Sequence, residues 1–216
     1  MIGKLFFLIL KRIRSSKVIT LIIWGIKIKE FHHKTFWDLT TLVLRKELLN
    51  FSGAKKYLDM GCGQFAILGQ FFKNNSKVTE VTSVDIYDKF VENSLNNARI
   101  NQNDIKIKKS NLFSNINEKF DLISFNPPYV PLSKKKEYLE FPHIRYSELD
   151  GMKTTKDFLN EAKRYLTSNG KILLGINTFY VSKKLCLDVI KDSNYQIEKI
   201  TKMKFNTSVV YRIRII

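Results

Sequence analysis

Asn126, Pro127, Pro128 and Tyr129 stand in succession at the end of an apolar run, 120–125, that reads as a buried strand. Proline lacks an N–H and fixes its own φ, so the pair stops the strand and stiffens the chain beyond it. Asn126 brings a side-chain carbonyl acceptor, Pro127 a rigidly held main-chain carbonyl, and Tyr129 an aromatic face with a hydroxyl. Two fixed acceptors beside a stacking surface suit a planar NH2 group, whether of an amide or of a base. With both N–H groups held, the nitrogen lone pair faces an incoming electrophile, and reaction becomes a matter of orientation. Asn126, Pro127 and Tyr129 are therefore the candidate catalytic residues.

A second constellation lies upstream. "LDMGCGQFA", residues 58–66, runs from a strand through two glycines into a helix. Gly61 and Gly63 let the backbone turn tightly and approach a ligand, and the helix start offers free N–H groups. Asp85 ends the next strand, where a carboxylate can accept from a ribose diol. Two ligand classes fit this pattern. Gly61, Gly63 and Ala66 match the spacing of a nicotinamide-dinucleotide fingerprint, whereas Asp59, two residues before the first glycine, would repel a pyrophosphate. A cofactor with a cationic amino-acid end and no phosphate, S-adenosylmethionine, is the better partner for Asp59.

These residues need a scaffold, and the chain alternates strand-like and helical runs from residue 54 onward. Strands are expected at "KYLDM", "EVTSVDI", "IKIKKSNLF", "FDLISF" and, entered through an Asn-Gly turn, "NGKILLGIN". Helices are expected over "FAILGQFF" and where Val91, Leu95 and Ala98, then Leu159, Ala162 and Leu166, then Leu185, Cys186, Val189 and Ile190 recur at helical spacing. Such alternation implies a mostly parallel sheet covered on both faces. "QIEKITKMKF" and "SVVYRIRII" are joined too closely for a parallel crossover and must form an antiparallel edge.

Composition narrows the partners. The 216 residues carry a net charge of +17, which favours anionic partners such as nucleic acid or ribosome, or else a lysine-rich solvated surface. Cys62 and Cys186 are far apart, and neither they nor His32, His33 and His143 form a ligand pattern, so a reducing, cytoplasmic setting without metal is expected. Residues 1–35 read as a basic, apolar extension to a domain spanning 36–216. Its apolar runs are too short to cross a bilayer, which takes about 20 residues, and no signal-peptide cleavage site is evident. Packing on the domain is expected rather than contact with a membrane surface.

"LDMGCG", "VDI" and "NPPY", in this order, resemble class I S-adenosylmethionine-dependent methyltransferases of the amino-methylating branch. Release-factor glutamine methyltransferases and related ribosomal-RNA enzymes are the nearest in kind, and the resemblance covers residues 26–216. It implies a Rossmann-like, doubly wound, mostly parallel seven-stranded α/β sheet with an antiparallel C-terminal hairpin at its edge. It also implies a cofactor site formed by Asp59, Gly61, Gly63, Asp85, Ile86, Asn111 and Asn126, and "FHHKTFWDLTTLVLRKEL" is similar to a family segment that helps cover the cofactor. The implied acceptor is a glutamine side chain in a translation-related protein, with a base amine in RNA or DNA as the alternative. A nicotinamide-dependent oxidoreductase and a non-catalytic basic module are the remaining readings. Three departures stand out. Phe65 replaces a small residue, which would alter how the cofactor is seated. Asn111 replaces an aspartate at the adenine amino group. Residues 1–30 stand where release-factor enzymes have a long helical domain, which leaves the protein substrate open. The lysines at 134–136 are expected on the substrate rim.

Overall fold

The computed structural model describes residues 9, 12–29, 37–134, 146–148, 150–204 and 206–216. His32, His33, His143, Lys135 and Lys136 lie outside the described residues. The strands are β1 (Lys56–Met60), β2 (Glu80–Asp85), β3 (Lys106–Lys109), β4 (Phe120–Phe125), the two-residue β5 (Val130–Pro131) and β6 (Tyr146–Ser147), β7 (Leu166–Asn177), β8 (Tyr195–Lys202) and β9 (Ser208–Ile215). The helices are α1 (Lys17–Trp24), α2 (Leu39–Leu49), α3 (Ile67–Asn75), α4 (Asp88–Ile100), α5 (Lys153–Ala162) and α6 (Lys183–Asp192).

Seven strands form one sheet in the order β3-β2-β1-β4-β7-β9-β8. The first five are parallel, and β9 runs antiparallel to both β7 and β8. The expected hairpin edge is present, with a twist in its order: the last strand inserts between β7 and β8. Both faces are buried with the strand period of two. On β4, Ile123 and Phe125 join the cluster that holds Phe158, Leu159, Cys186 and Ile190 from α5 and α6. Leu122 points the other way, into the cluster with Leu44 and Leu48 of α2 and Phe71 of α3.

Four elements differ from the periodicity. Helix α5 ends at Ala162, and Leu166 opens β7 opposite Phe120 rather than closing the helix. Asn169-Gly170 is then no turn before a strand but a bulge within one, because Leu166 pairs with Phe120 while Lys171 already pairs with Leu122. Strand β3 is shortened to four residues at the sheet margin, where lysines blunt an open edge. Helix α4 buries Ser94, Asn97 and Ala98, leaving Val91 and Leu95 half-buried. Its inner face is polar for a reason that lies in the site.

Helix α1 and the residues after it pack against α2 and α3. Ser16 caps α1 by accepting from the Ile19 N–H, and Gly25 closes it in the left-handed region. Trp24, Ile26 and Ile28 are buried in the cluster of α2 and α3, with Trp24 edge-on to Phe71. Each such side chain contributes about 1.5–3 kcal/mol when fully buried. The Trp37 indole N–H donates to Thr20 at 3.1 Å, and Asn101 of the α4 C-terminus bonds both the N–H and the carbonyl of Lys27. No helix among the described residues is long and apolar enough to cross a membrane.

Helix α2 sits unusually close to β7. A Cβ on Gly175 would lie 2.7 Å from Thr40 Cγ2 and 3.1 Å from Leu44 Cδ1. Gly175→Ala is expected to push α2 outward and cost about 1–3 kcal/mol, the usual range for overpacking. Calorimetry should show a fall in Tm, about 2–4 °C for each kcal/mol in a chain of this size.

Candidate active site

The register of the central strands decides where the candidate residues meet. Met60 of β1 lies opposite Val84 of β2 and Phe125 of β4. One residue further, Gly61, Asp85 and Asn126 therefore leave three neighbouring strands at one level, with about 4.8 Å between adjacent strands. The glycine loop, the acid and the Asn-Pro-Pro-Tyr corner share one crevice at the carboxyl ends of the sheet, the usual ligand position in open α/β folds.

The loop is held from four directions. The Cys62 N–H donates to the Val84 carbonyl at 2.9 Å. The Gly63 N–H donates to Asp85 Oδ2 at 2.9 Å, and the Gly63 carbonyl accepts from the Ser94 hydroxyl at 2.8 Å. Gln70 Nε2 donates to the Phe65 carbonyl at 2.6 Å. Here is the reason for the polar face of α4: Ser94 is turned inward to grip the loop. Gly61 and Gly63 have φ of +63° and +67°. A Cβ on Gly61 would meet the Phe125 ring at 3.1 Å, whereas one on Gly63 would have no described residue within 4 Å. That open face is room for a ligand.

Asp59 is turned inward rather than into the crevice, with 2% exposure. It accepts from the Gly69 N–H at 3.1 Å and from the Ser124 hydroxyl at 3.4 Å. Gly69 permits this approach, since a Cβ there would sit 2.2 Å from Ser83 Oγ. Any effect of Asp59 on a ligand is thus exerted through its field and through the backbone it holds. Burial raises its pKa to about 7; the Gly69 and Ser124 hydrogen bonds pull it down and the Asp85 charge adds to the rise. Burial, then Asp59 and Asp85, push the Cys62 thiol well above its ordinary value, so it is no thiolate nucleophile at neutral pH.

Asp85 also accepts from the Tyr87 N–H at 3.1 Å. Ile86 beside it is 47% exposed and offers an apolar surface. Asn111 lies exposed beyond β3, its N–H donating to Ser114 at 3.0 Å. The Phe65 side chain is 3% exposed, packed into the cluster of Trp24, Trp37 and Phe71.

Asn126 is the most informative side chain. Its Nδ2 donates to Asp38 Oδ2 at 3.0 Å, while its buried Oδ1 has no hydrogen-bond partner among the described residues. Tyr129, expected to offer an aromatic face and a hydroxyl, is 9% exposed, the ring 6.0 Å from Tyr180 and the hydroxyl bonded to Thr40 at 3.1 Å. Thr40 in turn shares a hydrogen bond with Ser208 of β9. Tyr129 braces the corner between α2 and the sheet. Pro127 is buried behind it, and Gly151, at φ +89°, lies so close that a Cβ would meet the Tyr129 carbonyl oxygen at 2.4 Å. Asp38, Thr40, Gly69, Ser94 and Gly151 carry no motif of their own. Only the Asp38–Thr41 spacing of a helix cap gives a local signal.

Residues 31–206 match the family described as Methyltransferase small domain. The chain belongs to this family. It is an S-adenosylmethionine-dependent methyltransferase, which decides against the nicotinamide and non-catalytic readings. A Methanocaldococcus jannaschii protein named as a protein N5-glutamine methyltransferase is 27% identical over 83% of this chain and 90% of that relative. The release factor glutamine methyltransferase of Streptococcus pneumoniae is 33% identical over 64% of this chain, which spans 50% of that relative's length. A solved methyltransferase from Pyrococcus furiosus has the same fold, with a TM-score of 0.68 at 24% identity, covering 94% of each chain.

The buried carboxyl of this methyltransferase gives its stability a pH dependence. With a folded pKa of about 7 against about 3.9 unfolded, Asp59 holds its proton more tightly in the native state. Its stabilising contribution is full below about pH 4 and is lost as pH rises through 7, because the unfolded state then binds fewer protons. Urea midpoints should fall across that window, and Asp59→Asn, which cannot titrate, should flatten the fall.

Proposed function

We propose that the chain methylates a planar amide or amino nitrogen, and that its acceptor is a glutamine side chain of a translation-related protein. The observation carrying this is the Asn126 oxygen: buried, unpartnered among the described residues and held beside the glycine loop. A buried acceptor left without a donor costs about 1–3 kcal/mol, and an NH2 group of the acceptor supplies what it lacks. The names of the archaeal and streptococcal relatives support glutamine. The net charge of +17 favours a second reading, a base amine in RNA or DNA, and both readings place the enzyme in the cytoplasm.

S-adenosylmethionine fits the crevice, since the face above Gly63 is open to a ligand. When bound, it supplies an electrophilic methyl group on a sulfonium. The turn at Gly61 and the open face of Gly63 would seat its amino-acid end, with the Asp59 field favouring the ammonium. Asp85 would accept from its ribose hydroxyls, and Ile86 and Asn111 would hold the adenine. Asn126, together with the Pro127 carbonyl, orients the acceptor nitrogen and stabilises the positive charge that grows on it. Tyr129 keeps the corner rigid.

The product is identified first, as tritium carried from labelled S-adenosylmethionine into an extract of cells lacking the enzyme. Asn126→Ala is expected to bind S-adenosylmethionine nearly as well as wild type and to label that product on the order of a hundredfold more slowly. A wild-type rate would sink the mechanism. Asp85→Ala should weaken calorimetric S-adenosylmethionine affinity at least about tenfold, from charge-assisted hydrogen bonds worth about 1.5–3 kcal/mol. If the acceptor is nucleic acid, replacing Lys134, Lys135 and Lys136 with Gln should also flatten the salt dependence of binding.

A further inference from the structure

We propose that Asp38 is a positioning residue, fixing the Asn126 amide so that its oxygen and not its nitrogen meets the methyl acceptor. The inference rests on the role given to Asn126 above. An asparagine amide is nearly symmetric in shape, and turning it over exchanges an acceptor for two donors. At a site that must receive an NH2 group, the wrong rotamer would present donor to donor. Something must break the symmetry.

Asp38 does so because a carboxylate only accepts. With its Oδ2 3.0 Å from the amide nitrogen, the flipped amide would set oxygen against oxygen. The carboxylate is itself immobilised by its second oxygen. Oδ1 accepts from the Thr41 N–H at 2.7 Å and from the Thr41 hydroxyl at 2.8 Å, and the Asp38 N–H returns a bond to that hydroxyl at 3.4 Å. One oxygen caps α2 while the other aims Asn126. The negative charge at the nitrogen end also polarises the amide and strengthens its oxygen as an acceptor. The cation-stabilising charge thus comes from a residue that need not touch the substrate.

The cap and the aim can be separated by mutation. Asp38→Asn keeps the size of the side chain and caps helices as well as Asp does. Its carbonyl can stay on the Thr41 N–H, which turns a new NH2 toward Asn126. The hydrogen-bonded arrangement then has the Asn126 amide reversed, with a donor facing the acceptor nitrogen. Asp38→Ser also caps α2 but leaves the Asn126 nitrogen without its carboxylate, so either rotamer can form. The measurements are Tm, calorimetric affinity for S-adenosylmethionine, and kcat and KM for the tritium-labelled product. Asp38→Asn is expected to keep Tm and cofactor affinity while kcat falls on the order of a hundredfold, as for Asn126→Ala. Asp38→Ser should lose on the order of tenfold. A role in capping alone predicts wild-type kcat for both variants, since both retain the cap. Wild-type kcat in Asp38→Asn alongside an inactive Asn126→Ala would overturn the positioning role and leave the proposed mechanism standing. Activity in Asn126→Ala would remove both.

Discussion

Parallel register is the constraint on which the crevice depends. Strand β1 has to end level with both neighbours, because the glycine loop, Asp85 and the Asn-Pro-Pro-Tyr corner are each attached to a different strand end. The pairing of Met60 with Val84 and Phe125 meets that requirement. A slip of one residue would turn every side chain of β1 to the other face of the sheet. Tyr57 and Leu58 resist it, being fully buried on opposite faces. Below the crevice the same register sets Asp59 opposite Ser83 and Ser124, one hydroxyl donating to it and the other packed against Gly69.

Helix α2 carries the other half of the arrangement, and its attachment is ionic as well as apolar. Glu47 is a fully buried acid that accepts from Thr201 at 2.6 Å and pairs with Arg212 and with Lys199. Burial pushes its pKa up, but the hydrogen bonds from Thr201, Arg212 and Lys199 outweigh that and leave it below the usual carboxylate value. Both ends of the helix are therefore committed. Its first turn aims Asn126 and braces Tyr129, while its last turn is bonded to the C-terminal hairpin.

How much of this was legible in the sequence depends on whether the signal was local. The alternation of strand and helix was plain, as was the antiparallel pair, because burial on two faces and a short connection are written in consecutive residues. The glycine loop and the corner were plain for the same reason. Asn169-Gly170 misled because an Asn-Gly pair favours a turn, and the bulge is imposed by Phe120 from another strand. The inner face of α4 misled because Ser94 serves Gly63 rather than the core. Tyr129 carried an unambiguous motif, but nothing local announced its contacts with Thr40 and Tyr180. Asp38, 88 positions from Asn126 in sequence, could not be paired with it by any spacing rule.

The insertion of β9 between β7 and β8 sets an order on biosynthesis. A chain leaving the ribosome exposes β8 before β9 exists, yet β8 has no place in the sheet except against β9. Until β9 emerges, β7 keeps an open parallel-sheet edge and β8 remains an unpaired strand, both of them surfaces that invite wrong partners. Ser208, which supports Thr40 and through it Tyr129, arrives in the same final stretch. The glycine loop and Asp85 thus precede Ser208 in the chain, and the Asn-Pro-Pro-Tyr corner gains this support only once β9 has emerged. A nascent chain can form the first half of the active site well before it can complete the second.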